Sequence, residues 1–153
     1  MEQNDVLLSN KRHTMKIGAF GNIEFKSKDK EWFGLVENLT PNNKVELTIS
    51  AEDSNQDISD KIENVQQFAV DYNSVMENLY ELAFQKYKNS QWEKTLNEIK
   101  EMYFLSAVSL KADNKTWWLV LEPESRVDTI YNHFLRFTMI DRKIVWANFN
   151  IDT

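Results

Sequence analysis

Four groups in the last third of the chain are close enough in sequence to do chemistry together. Glu122, Glu124, Asp128 and His133 fall within 12 residues. A histidine beside a carboxylate can serve as a general base, and clustered carboxylates can hold a hard cation. The spacing, however, lacks the alternating ligands and the turn glycine of a calcium loop, and no metal-ligand spacing accompanies His133. The plainer reading is a solvated acidic loop with a local Arg126 pair, followed by a hydrogen-bonded histidine at a strand end. A small hydrolase or metal-dependent enzyme built on residues 122–133 stays open as the alternative. The other histidine, His13, sits beside Lys11 and Arg12 in a polar leader and reads as solvated.

The remaining inventory excludes several chemistries. There is no cysteine, so there is no thiol nucleophile, disulfide or cysteine-ligated metal. The three glycines, Gly18, Gly21 and Gly34, match neither a phosphate-cradling loop nor a dinucleotide fingerprint, and no glycine-x-serine-x-glycine elbow occurs. No cofactor is expected, and the residues point to a protein that is not an enzyme.

Charge gives a more positive signal. Residues 51–81 carry eight carboxylates against one base, Lys61, so this segment supplies the whole net charge of −6. At about 100° per residue, Asp60, Glu63, Asp71, Glu77 and Glu81 fall on one half of a helix whose other half is apolar. No lysine lies at i+4 on that face to offset them. Asp57 and Asp60 suit a helix N-terminus; Glu77 and Glu81 do not have that explanation. A plain solvated face and a surface for a basic partner protein are both consistent with this pattern. The acidic balance argues against nucleic acid, and no apolar run approaches the length that spans a membrane. A cytoplasmic location is the expectation, since residues 1–10 lack the pattern of a secretory signal.

The elements that must position these groups follow from hydrophobic period. Residues 1–13 read as a flexible leader and 14–153 as a single domain. Period-two segments run from Met15 through the glycines to Lys26, from Glu31 to Leu39, and from Lys44 to Ser50, where Val45, Leu47 and Ile49 share one face. The period then changes: Ile62, Val65, Ala69, Tyr72, Met76, Leu79 and Ala83 predict one helix over about 57–88. Ser90 with Glu93 fits a capping box, which predicts a second helix over about 91–103, burying Trp92, Leu96 and Ile99. Strands return at 104–111 and 116–122, and finally at 133–140 and 144–150. For the closing hairpin, a two-residue loop would pair Phe137 with Trp146 and Leu135 with Asn148, placing polar residues among apolar ones; the preferred three-residue loop at 141–143 aligns Leu135, Phe137 and Met139 with Phe149, Ala147 and Val145. Arg136, Thr138, Trp146 and Asn148 then share the opposite face. The order of four strands, two helices and four strands with hairpin-length turns predicts an α+β fold: an antiparallel sheet of about eight strands with two helices on one face.

Tryptophans supply the other candidate contacts. Trp117 and Trp118 are adjacent and point to opposite faces. Both faces carry apolar neighbours there, the pattern of a central strand covered on both sides. Trp146, beside Arg136 and among polar residues, is the better candidate for an exposed contact.

The segments Ile17-Gly18-Ala19-Phe20-Gly21-Asn22-Ile23-Glu24-Phe25 and Trp32-Phe33-Gly34 leading to Val45-Glu46-Leu47-Thr48-Ile49 resemble a group of small bacterial domains. So do Asn132-His133-Phe134-Leu135-Arg136-Phe137 and Lys143-Ile144-Val145-Trp146, which look like that group's closing hairpin. Many members are thought to be immunity proteins of polymorphic toxins. The resemblance implies an α+β domain, permits toxin neutralisation and carries no catalytic residues. The expectation is a non-catalytic, cytoplasmic, immunity-type binding protein that neutralises a basic toxin domain through Asp60, Glu63, Asp71, Glu77 and Glu81, with Trp146 and Arg136 as further contacts. A structural or adaptor subunit using the wet sheet face is a further alternative. The oligomeric state stays open.

Overall fold

The computed structural model describes residues 13–41, 43–124 and 134–148. Most of the expected leader, and Ser125 to His133 with Asp128, lie outside the described residues. Among them, the fold is α+β: an eight-stranded, mostly antiparallel sheet with three helices between its two halves. The strands are β1 (Thr14–Lys16), β2 (Asn22–Lys26), β3 (Glu31–Val36), β4 (Val45–Ser50), β5 (Tyr103–Leu110), β6 (Thr116–Pro123), β7 (Leu135–Ile140) and β8 (Lys143–Asn148). Their order in the sheet is their order in the chain. The helices are α1 (Ser59–Val70), α2 (Tyr72–Tyr87) and α3 (Leu96–Met102).

One pairing departs from the antiparallel expectation. β4 and β5 run parallel, with Glu46 opposite Ala107 and Thr48 opposite Ser109. Hairpin turns enforce antiparallel neighbours, but the link from Ser50 to Tyr103 is not a hairpin. α1 and α2 together hold 28 residues and carry the chain back about 42 Å at 1.5 Å per residue. α3 has seven residues, about 10 Å, and cannot reverse that travel. The chain therefore re-enters the sheet at the end where β4 began.

The helices also differ in detail from their expected bounds. The single helix is jointed at Asp71, where ψ is 3° instead of the helical value of about −42°. The ladder nevertheless continues through the joint, with the Asp71 amide donating to Gln67 and the Val75 amide to Asp71. A tertiary contact, not a sequence breaker, marks the place: Arg142 Nε donates to Asp71 Oδ2 at 3.0 Å. The capping box belongs to Thr95 and Glu98, both arms formed at 2.9 and 3.1 Å. Ser90 and Glu93 instead close the turn after α2. Asn89 takes φ 66° there, and its amide donates to Glu93. Tyr103 opens β5 and does not end a helix.

The closing hairpin combines both loop lengths considered from sequence. Asp141 and Arg142, at φ 50° and 64°, form a two-residue turn between Ile140 and Lys143. Positive φ at both positions matches the right-handed twist of the strands. A bulge at Val145 then shifts the register, so Phe137 still opposes Ala147, as expected, while Met139 opposes Ile144 instead of Val145. The extra residue restores Phe137 and Met139 to the core without a three-residue loop. Phe149 lies outside the described residues.

The core sits between one sheet face and the helices. Ile23, Trp32, Leu47, Ile49, Leu105, Leu110, Trp117, Leu119, Leu121 and Phe137 meet Val65, Phe68, Leu79, Ala83, Tyr87 and Ile99, all buried. Phe68 stacks on Trp117 at 4.7 Å between centroids, and the Tyr87 and Tyr103 hydroxyls bond at 2.6 Å. Tyr80 donates to the Tyr103 carbonyl, and burial pushes its hydroxyl up to about 12. Lys61, the single base of the acidic segment, turns inward: it is buried and donates to the Ser50 carbonyl at 2.7 Å. Desolvation lowers its pKa, as expected for a charge moved away from water.

Candidate functional site

Among the described residues, the helix layer covers one sheet face and leaves the other open. Strand alternation places Trp117 in the core and Trp118 on the open face, where it is 55% exposed. This corrects the expectation of a strand covered on both sides. Cross-strand register makes the open face an ordered array. One row runs Glu24, Phe33, Thr48, Ser109, Trp118, Thr138 and Trp146. The row beside it runs Leu35, Glu46, Ala107, Val120 and Arg136. Thr48 and Ser109 hydroxyls bond across the parallel seam.

The face is apolar for a surface in contact with water. Leu35 is 57% exposed, Trp146 53% and Ile140 36%. Trp118, Val120, Arg136, Thr138 and Trp146 line a shallow groove of about 470 Å³. Trp118 and Trp146 lie two strands apart with Thr138 between them, roughly 10 Å at the usual strand spacing. Lys111 Nζ rests 3.5 Å from the Trp118 ring centroid, an attraction of charge to the π-face. Burial lowers the Lys111 pKa, while Glu31 opposes that shift. The floor is apolar, with the cations Arg136 and Lys111 at its margin.

The expected acidic face is real but partly neutralised. Asp60, Glu63 and Glu81 are exposed, and Glu81 accepts from its helix neighbour Gln85 at 2.9 Å. Asp71 is held by Arg142, which keeps its carboxyl below the usual range, with Gln67 donating to its other oxygen. Glu77 takes Lys100 Nζ at 2.9 Å. Both partners come from other elements, so a search at i+4 within one helix could not find them. Among the described residues, Asp71 and Glu77 have cationic partners, whereas Asp60, Glu63 and Glu81 show none.

A third region gathers polar side chains where α1 meets the β7–β8 turn. Asn64, Asp71, Asn114 and Arg142 bond one another there, and the Arg142 guanidinium also lies over the Phe68 and Trp117 rings at 5.7 and 5.9 Å. This network fastens the helix joint to the sheet. Glu122 and Glu124 are half-buried, with the Glu124 amide donating to the Met102 carbonyl at 2.7 Å. Their proposed partners Asp128 and His133 lie outside the described residues. Among the described residues no group of three histidines or carboxylates could hold a metal.

Arg136 and Trp146 therefore share one surface, and Asp60, Glu63 and Glu81 lie exposed on the helix layer. Trp118, Phe33, Leu35 and Lys111 complete the open face and were not anticipated as contacts. The available signal was one of layers: a single helical segment between two strand groups can cover only one face, so every second residue of every strand faces outward. No family model matches the chain, and no curated protein or solved structure shows significant similarity to it.

Proposed function

We propose that this protein is a non-catalytic protein-binding module of the immunity type its strand pattern resembles, and that its open sheet face is a contact surface. The observation that carries this reading is the pair Trp118 and Trp146, each half-exposed on one groove beside Arg136. Tryptophan and arginine are the residues most enriched where binding energy concentrates. Covering the exposed halves of two tryptophans removes roughly 250 Å² from water, on the order of 6 kcal/mol before the entropy of association is subtracted. A benzophenone amino acid placed at position 146 tests it in the organism that encodes the chain. Irradiation should give a cross-link to protein, located by mass spectrometry; no adduct at 146 would refute the reading.

A second reading assigns the helix layer to a basic toxin domain. It is supported by Asp60, Glu63 and Glu81 standing exposed in a segment whose only base, Lys61, is buried. Such a layer would draw a basic partner by long-range attraction. A benzophenone at position 63 should then cross-link to a protein of basic composition, and an adduct restricted to position 146 would remove this role.

A further inference from the structure

We propose that a second copy of this chain occupies the open sheet face, forming a two-fold dimer with the sheets face to face. This rests on the reading of that face as a contact surface and names its occupant.

The register carries the argument. Place a two-fold axis between the sheets, parallel to the strands, and midway between β5 and β6. It sets β5 over the partner's β6, β4 over β7 and β3 over β8, and it leaves each row at its own level. In one row Glu46 then meets the second copy's Arg136. In the row on the far side of Trp118, Glu31 lies level with Ser50, and Ile140 with Lys143. There Glu31 meets the second copy's Lys143. Two-fold symmetry repeats both contacts, giving four opposite-charge contacts; Lys111, level with Thr116 in that row, meets the second copy's Thr116 and lies across the axis from the second copy's Lys111.

Size matches as well as charge. Trp118 falls over the small Ser109, Val120 over Ala107, and Thr48 over Thr138, so large side chains meet small ones near the axis. Phe33 meets Trp146 at the periphery. Facing sheets keep their strands within about 30° of each other and about 10 Å apart. The charged pairs lie away from the axis, where that rotation displaces the rows, and their long side chains span the displacement. Six strands and three rows cover roughly 600 Å² per copy, or about 1,200 Å² in all, the lower end of a standard interface. The same arrangement leaves both helix layers outward, so Asp60, Glu63 and Glu81 stay accessible.

Sedimentation equilibrium on the full chain tests this. The wild type should approach twice 18.1 kDa. Arg136→Glu alone and Glu46→Arg alone should each weaken the dimer at least about tenfold, because each sets like charges against one another. The double variant exchanges the charges and should recover the wild-type association. Far-UV circular dichroism checks that each variant is folded. A wild type that stays monomeric to about 100 µM, beyond the range that interfaces of standard size span, overturns the proposal. So does a dimer that survives Trp118→Glu, or a double variant that fails to recover. A monomeric wild type whose position 146 still cross-links to a different protein overturns the dimer alone and leaves the sheet-face reading standing.

Discussion

Gly34 lies on β3 between Phe33 and Leu35, two residues of the open face, and its own missing side chain faces the core. A Cβ built there would meet the Asn22 carbonyl oxygen at 2.6 Å and Ile23 Cγ2 at 2.8 Å. These are 0.8 and 0.6 Å short of an ordinary 3.4 Å contact. Neither neighbour can yield locally: one is backbone, and the other is a methyl fixed at the branch of a buried side chain. Gly34→Ala must therefore push β2 from β3. Overpacking of this kind costs about 1–3 kcal/mol. Alanine would also lower the entropy of the unfolded chain, a stabilisation of about 0.4–1 kcal/mol, smaller and of opposite sign. The net loss, up to about 2.6 kcal/mol, should lower Tm by up to roughly 10 °C for a chain of this length, read by differential scanning calorimetry. Amide exchange should quicken at the β2–β3 pairing and stay unchanged in β7 and β8. A Tm that rises, with amide exchange at the β2–β3 pairing unchanged, would refute the close approach, since only the entropic term would then remain.

Three other predictions concern charge. Asp71→Asn should destabilise the protein at neutral pH, by loss of the Arg142 pair, with the difference read from urea midpoints. Asp71 has a lowered folded pKa, so its contribution is complete above the unfolded value of about 3.9 and is lost as pH falls through the folded one; the wild type and variant should converge in acid. Asp113 accepts from the Thr116 hydroxyl and from the Lys115 and Thr116 amides, which hold its carboxyl at about 2. Asp113→Ala should cost about 1 kcal/mol at pH 7 by chemical denaturation, with the deficit fading between the unfolded value and pH 2 as the wild-type carboxylate is protonated. Reversing Asp60, Glu63 and Glu81 to Lys should change stability by about 1 kcal/mol or less, yet slow association with a basic partner at low salt. Stopped-flow rates at two ionic strengths check this, and equal rates for both proteins at low salt would sink the steering role.

Period carried most of the fold into the sequence. The alternation at Val45, Leu47 and Ile49 and the three-four spacing from Ile62 to Ala83 located the sheet and the helical layer, because each records which side of an element meets the core. What stayed hidden depended on contacts between distant segments. The joint at Asp71 answers to Arg142 in a turn 71 residues away. Residue spacing assigns the capping box to Ser90 and Glu93, but it forms at Thr95 and Glu98, and the left-handed Asn89 gives Ser90 and Glu93 to a turn. The bulge at Val145 mixes two registers that sequence presented as alternatives. Trp118 was misread because apolar residues on both faces of a strand can mean two covering layers or one layer and a sticky surface.

The parallel seam between β4 and β5 has a kinetic consequence. Every other strand pair joins sequence neighbours, so β1–β4 and β5–β8 are each largely local structures. The seam closes only across the 52 residues between Ser50 and Tyr103, an entropic cost on the order of 3.5 kcal/mol by the logarithmic scaling of loop closure. The helical layer shortens that span as it forms, which places the seam late in assembly. During synthesis β4 is complete well before its neighbour exists. At 5–20 residues per second, β5 follows roughly 3–12 s later. For that interval Val45, Leu47 and Ile49 stand on an unpaired sheet edge, the form in which a nascent chain is most open to pairing with another.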